Sequence, residues 1–208
     1  MRPVHPIEAE SYRRLRAAVD LSGLAPLSRA VAERVIHASA DLEYARDLVL
    51  DEDALRQGRS ALQAGAPVVV DTRMVAAGLN GLPVHCGLDG ARPPVRGDSP
   101  QPPARGDSPQ PPADGQSRSA AGIRRAAARA GAGAVYVIGC APTALVALLD
   151  LDAEPALVIG LPVGFVGAVE AKQALRQAGL PACTNRGPKG GSAVAAAALN
   201  ALRYWEAE

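Results

Sequence analysis

Residues 134–149 read Ala-Val-Tyr-Val-Ile-Gly-Cys-Ala-Pro-Thr-Ala-Leu-Val-Ala-Leu-Leu. A short β-branched run gives way to a glycine turn, and a second apolar run follows until Asp150 closes it. Gly139 and Pro142 interrupt the stretch, so it is too short and too broken to span a bilayer. It reads as a buried strand leading through a turn into a helix. Pro67-Val-Val-Val-Asp71, Pro83 to Cys86, Ala156-Leu-Val-Ile159 and Pro181 to Thr184 are further short runs of the same kind. Strands apolar on both faces and separated by helical segments form parallel sheets covered on both sides. The expected architecture is α/β: a three-layer α/β/α sandwich with a mainly parallel five-stranded sheet and right-handed crossovers. Ligands in such folds bind beyond the carboxyl ends of the strands, near a switch point in strand order.

Upstream of this alternation the chain reads as helices. A helical run follows His5-Pro-Ile-Glu and ends near Asp20. Ser28 is expected to cap a second helix through about Asp41, with Ala30, Val31, Val35 and Ala38 on its buried stripe. Asp51 caps a third, with Ala54, Leu55, Ala61 and Leu62 inward, and Gly65 ends it. Length allows one substantial core, so residues 1–208 are read as a single domain. Within it, residues 92–116 form a proline-rich insert. There Arg96 to Ala104, RGDSPQPPA, is repeated residue for residue by Arg105 to Ala113. Proline this dense, without apolar periodicity, is expected to be an exposed, disordered loop. Its RGD triplet is not read as an adhesion motif, because no export signal accompanies it.

Lys and Arg number 22 against 21 Asp and Glu, a formal net charge of +1, so no general nucleic-acid or membrane partner is indicated. Aromatic residues are only 3%, which leaves Ala, Val and Leu to build the core. Cys86, Cys140 and Cys183 show no CxxC spacing and suit a reducing cytoplasm, the expected location.

The strands lead into Asp71-Thr-Arg-Met, Gly139-Cys-Ala-Pro-Thr143, Gly160-Leu-Pro-Val-Gly-Phe-Val-Gly167 and Asn185-Arg-Gly-Pro-Lys-Gly-Gly-Ser192. Each turn opens a helix, presenting free N–H groups and the positive end of the helix dipole. Any one of them is ordinarily just a chain reversal. Four at one end of one sheet imply a large ligand bearing several carboxylates or phosphates. Arg73, Arg118, Arg186 and Lys189 lie in or near these turns and add full charges. No GxGxxG, Walker loop, Gly-x-Ser-x-Gly elbow or HExxH is present, so neither a dinucleotide, a covalent nucleophile nor a metal site is expected. His37, in Arg34-Val-Ile-His-Ala-Ser-Ala-Asp41, shares a helix face with Glu33, Arg34 and Asp41. Asp41, one turn on, is expected to orient the ring and poise it for acid–base work. On pattern alone an ordinary surface histidine beside charged neighbours is the favoured reading. His85 is read as structural.

Val35-Ile-His-Ala-Ser-Ala-Asp41, Asp71-Thr-Arg-Met-Val-Ala-Ala-Gly78, Ile138-Gly-Cys-Ala-Pro-Thr-Ala-Leu145, Leu161-Pro-Val-Gly-Phe-Val-Gly-Ala168 and Lys189-Gly-Gly-Ser-Ala193 resemble, in order, the motifs of the precorrin-8X methylmutase family, which includes the cobalt-precorrin-8 methylmutases. The resemblance implies a homodimeric, flavodoxin-like fold without a bound cofactor. It implies an isomerase of cobalamin biosynthesis that shifts the methyl on ring carbon 11 of precorrin-8 to ring carbon 12, giving hydrogenobyrinate or its cobalt form. His37 matches the family histidine, which would protonate or hydrogen-bond a ring nitrogen. Arg118, in Ser117-Arg-Ser119, matches a family arginine, and Ser11, in Glu10-Ser-Tyr12, a serine near the pocket. Substrate contacts are expected from Ser11, Asp71, Thr72, Arg73, Arg118 and Thr143. Gly164, Phe165, Arg186, Lys189 and Gly190 complete the expected set. A precorrin with acetate and propionate arms is the polyanion that the turns call for.

Cys140 stands where the family usually has Asn, and Pro188 replaces a common basic residue. The His-Ala-Ser-Ala-Asp stretch leans towards the cobalt branch. Two alternatives are a corrinoid carrier that does not turn over, against which His37 argues, and an enzyme of a phosphorylated metabolite, favoured only by the glycine turns.

Overall fold

Val68, Val69 and Val70 are all buried, as is every residue of Val135-Tyr-Val-Ile138, so both faces of these strands are covered. The computed structural model describes residues 5–88 and 117–206. Its helices and strands run α1 (Pro6–Ala18), α2 (Pro26–Ser39), α3 (Tyr44–Asp47), β1 (Leu48–Leu50), α4 (Glu52–Gln63), β2 (Val68–Val70), α5 (Arg73–Gly78) and β3 (His85–Cys86). They continue with α6 (Arg118–Ala130), β4 (Val135–Ile138), α7 (Pro142–Leu149), β5 (Leu157–Gly160), α8 (Ala168–Gln177), β6 (Ala182–Asn185) and α9 (Ser192–Tyr204). The expected insert, 92–116, lies outside the described residues.

The sheet order is β1-β6-β5-β4-β2-β3. All neighbours are parallel except β1, which runs antiparallel to β6 with Leu48 opposite Asn185. Among the described residues the sheet therefore has six strands rather than the expected five. Alternate strand residues feed two cores. Val68, Val70, Val135, Val137, Leu157 and Ile159 face α2, α4, α5 and α9. Val69, Tyr136, Ile138 and Val158 face α6, α7 and α8. That alternation is the period-two signature of a sandwich covered on both sides.

The helices conform to their sequence signals with two corrections. Asp51 caps α4 as expected, accepting the N–H groups of Asp53 and Ala54. Ser28 does not cap α2. The helix begins earlier, at Pro26, whose fixed φ suits a first helical position. Ser28 is inside and buried, and its hydroxyl and N–H both donate to Glu52 at 2.8 Å. Nor is Ala38 on the buried stripe. It is exposed, because α2 stops at Ser39 and Ala40 turns left-handed at φ 53°. Leu27, Val31, Val35 and Ile36 carry the buried face and pack along α9.

Candidate active site

Asp71 leaves β2 with only 1% of its surface exposed. Its carboxylate accepts three successive N–H groups of the β4–α7 turn, from Gly139 at 3.3 Å, Cys140 at 2.7 Å and Ala141 at 2.9 Å. Burial pushes its carboxyl pKa up, outweighing these three donors. β2 and β4 are neighbours, yet the chain leaves them in opposite directions, to β3 and to β5. Asp71 therefore braces the switch point. Thr72 caps α5 by accepting the N–H of Val75, and its hydroxyl reaches the Cys140 sulfur at 3.4 Å. That sulfur lies 2.6 Å from Oγ of Ser192, the first residue of α9. Ser117 caps α6 and meets the Thr143 hydroxyl of α7 at 2.6 Å. Four helix N-termini thus open on one edge.

On the β5 and β6 side two loops press together. Gly191 N–H donates to the Leu161 carbonyl at 2.9 Å, and Gly164 N–H to that of Pro188 at 3.1 Å. Gly190 has φ +156°, and a Cβ there would stand 2.1 Å from the Leu161 oxygen, so only glycine fits. Phe165 is fully exposed at 100% and Val166 at 89%, an apolar tip beside the charged turns. Lys189 bonds Asp41 at 2.5 Å and also Glu43, tying this loop to the chain just after α2. These bonds raise the lysine's pKa, and the lysine holds the Asp41 carboxyl below its ordinary value.

His37 sits in the last turn of α2, close to that tie. Its Nδ1 lies 3.0 Å from Ser11 Oγ, and its ring stacks on Tyr12 with centroids 4.8 Å apart and planes 8° from parallel. Arg34 holds the Tyr12 hydroxyl at 3.3 Å and Glu8 at 3.0 Å. Among the described residues Nε2 of His37 has no hydrogen-bond partner. A hydroxyl donates or accepts by rotating, so Ser11 accommodates either neutral tautomer and the imidazolium. Nε2 can then give a proton or take one back without the ring moving.

A cleft of about 640 Å³ lies elsewhere, lined among others by Arg16, Pro26, Arg29 and Trp205. It opens at the start of α2, away from His37. Its Arg16 and Arg56 are neutralised by Glu33 and Glu52, and it holds none of the expected site residues. Converging donors make the strand edge the better candidate.

A family model of precorrin-8X methylmutase matches residues 6–205. The chain belongs to the precorrin-8X methylmutase family. It is 37% identical to a precorrin-8X methylmutase of Sinorhizobium, over 97% of this chain and 95% of that one. It is 38% identical to a cobalt-precorrin-8 methylmutase of Methanothermobacter thermautotrophicus, over 88% and 83%. The solved precorrin-8X methylmutase from Thermus thermophilus superposes with a TM-score of 0.75 at 36% identity, covering 95% of this chain and 96% of that one.

Within this methylmutase fold, Asp71, Thr72, Arg73, Thr143, Gly164, Phe165, Arg186, Lys189 and Gly190 all fall at the strand edge. Arg73 and Arg118 are exposed at the first positions of α5 and α6. Ser11 and His37 meet, but one expectation fails: Asp41 does not orient His37. It bonds Lys189, because α2 ends at Ser39 and carries Asp41 off the helix face. Lys189 in turn spends its charge on two carboxylates. His85 is exposed on β3. Sequence reasoning missed Tyr12, although it adjoins Ser11. It also missed Lys172, whose side chain is fully buried under the β6–α9 loop. Among the described residues no cluster of three potential metal ligands occurs, and no helix is long and apolar enough to cross a membrane.

Proposed function

We propose that this methylmutase shifts a methyl group from ring carbon 11 to ring carbon 12 of a precorrin-8 macrocycle, with His37 as its acid–base residue. The observation that carries the assignment is the His37 environment: Nδ1 fixed by Ser11, the ring plane fixed by Tyr12, and Nε2 open. A histidine restrained on one nitrogen and stacked on one face is aimed. An unused surface histidine would be free to rotate.

The reaction needs little else. The carbon–methyl bond at carbon 11 breaks as the bond at carbon 12 forms, and the double bonds of the ring shift to match. The migration is intramolecular, so no nucleophile or redox partner is consumed. A proton or hydrogen bond from Nε2 to a ring nitrogen draws electron density the way the methyl migration requires. The carboxylate arms fit the N-termini of α5, α6, α7 and α9 together with Arg73, Arg118 and Arg186. Phe165 and Val166 suit the flat apolar face of the macrocycle. The enzyme acts in the cytoplasm as a homodimer, an oligomeric state that sedimentation would check.

The deciding experiment is an absorption spectrum after incubation with precorrin-8. Conversion to the corrin chromophore is expected. A tetrapyrrole bound but unchanged would make the protein a carrier, and no binding would remove corrinoids altogether.

A further inference from the structure

Lys172 lies in the second turn of α8, where a lysine ordinarily faces water, yet its exposure is 0%. Its ammonium has three hydrogens, and three oxygens take them. Asn185 Oδ1 accepts at 2.9 Å, the Lys189 carbonyl at 2.7 Å, and the Gly187 carbonyl completes the set. The acceptors are themselves fixed. Asn185 Nδ2 donates to Asp47 at 2.6 Å and to the Lys189 carbonyl at 3.0 Å. The other Asp47 oxygen accepts the N–H groups of Arg186 at 3.1 Å and Gly187 at 2.8 Å. The loop that carries Arg186 and Lys189 is thus wrapped around a buried cation, much as a loop wraps a bound metal ion.

The wrapping has a direction. A trans peptide points its carbonyl and its N–H opposite ways. With the Lys189 carbonyl turned onto Lys172, the Gly190 N–H on the same peptide points away from it. We propose that Lys172 is a positioning residue for substrate binding: its ammonium sets the path of the 185–191 loop and so presents Arg186 and the Gly190 N–H to a carboxylate arm of the ligand. The proposal rests on the methylmutase reading for the identity of that ligand, while the effect on the loop stands apart from it. The charged groups that act on Lys172 are Asp47 from α3 and Arg176 on its own helix, while the Arg186 guanidinium turns to the Arg46 carbonyl and the Lys189 ammonium to Asp41 and Glu43.

Burial pushes the Lys172 pKa down to about 8 from 10.5. Between those values the unfolded chain holds the proton and the folded protein does not. The lysine's own contribution to stability therefore rises with pH across that window. Loss of ligand affinity there cannot come from unfolding on its account, which separates positioning from mere structural support.

The test compares wild type with Lys172→Met for hydrogenobyrinate affinity, turnover of precorrin-8, and amide exchange at Gly187 and Gly191 corrected for intrinsic rates. The variant should bind at least tenfold more weakly, raise KM in step, keep kcat within threefold and lose protection at both amides while β5 keeps its own. Wild-type affinity and protection in a folded variant would overturn the proposal. Should the variant not fold, wild type is compared at about one unit either side of the Lys172 pKa. Affinity and protection should fall above it in wild type and stay level in Lys172→Arg; a level wild type also overturns it. A wild type that neither binds nor converts corrinoids defeats the methylmutase reading alone, and the exchange data still decide the role of Lys172.

Discussion

Ser11 Oγ and His37 Nδ1 stand 3.0 Å apart, joining α1 to the last turn of α2 across 26 positions of sequence. The bond leaves one ring nitrogen for chemistry and fixes where it points. If His37 moves a proton during methyl migration, removing it spares the fold and slows the reaction. General acid–base catalysis is typically worth about 10²–10⁴-fold, so His37→Ala and His37→Asn should each lose about that much single-turnover rate. Melting temperature and corrinoid affinity should stay close to wild type. A rate within threefold in either variant would sink the assignment.

Ser11→Ala should act more mildly. It removes one orienting hydrogen bond, a net effect of about 1 kcal/mol, or roughly five- to tenfold in rate. The loss belongs in kcat, because Tyr12 still stacks on the ring. A change confined to KM would place Ser11 on the substrate and not on His37.

Asp71→Asn tests the brace at the switch point. The amide offers one acceptor oxygen where the carboxylate offered two, and its NH₂ would face backbone donors. A loss of about 3 kcal/mol in urea unfolding is expected, the scale for breaking a buried polar network. A neutral substitution would show that the three N–H groups find other partners.

Arg118→Ala should leave stability alone, since the side chain is exposed at the first position of α6. Hydrogenobyrinate affinity should weaken by about 2 kcal/mol, the loss of one charge-assisted hydrogen bond. Titration in low salt reads the effect most clearly. Unchanged affinity there removes Arg118 from the site.

Burial, with Asp41 and Asp47 nearby, pushes the Tyr44 phenol up to about 12 from its ordinary 10.0. The folded protein keeps this proton longer than the unfolded chain does. The associated stability is complete below pH 10.0 and drains away as pH rises through about 12. Tyr44→Phe should therefore lose less urea stability than wild type over that interval. A steeper loss in the variant would contradict the account.

The parallel strands were readable because runs such as Val68-Val-Val70 are apolar on both faces and end in a turn. β1 escaped notice for the opposite reason. Leu48-Val-Leu50 is three half-buried residues directly after a four-residue helix, with no turn signal between them. Within the site, residue types at strand ends were legible and their partners were not. Asp41 lies one helical turn from His37 on paper, but Ala40 leaves the helix and Lys189, 148 positions away, takes the carboxylate. Lys172 looks like any solvated lysine until the loop above it is seen to fold inwards. Long-range closure of this kind has no local periodicity to betray it.

The histidine and the charged cradle come from different stretches of the chain. Residues 6–41 supply Ser11, Tyr12 and His37, whereas the turns after β2, β4, β5 and β6 carry the anion contacts proposed above. Mutational drift can therefore act on one without touching the other. Substitutions confined to positions 11, 12 and 37 would turn a rearranging enzyme into a storage protein of unchanged ligand preference. Substitutions confined to the strand ends would redirect the same proton to a differently decorated ring. Two inheritable parts, held together by the packing of α2 along α9 and by the Lys189–Asp41 contact, give a lineage separate routes to a new activity.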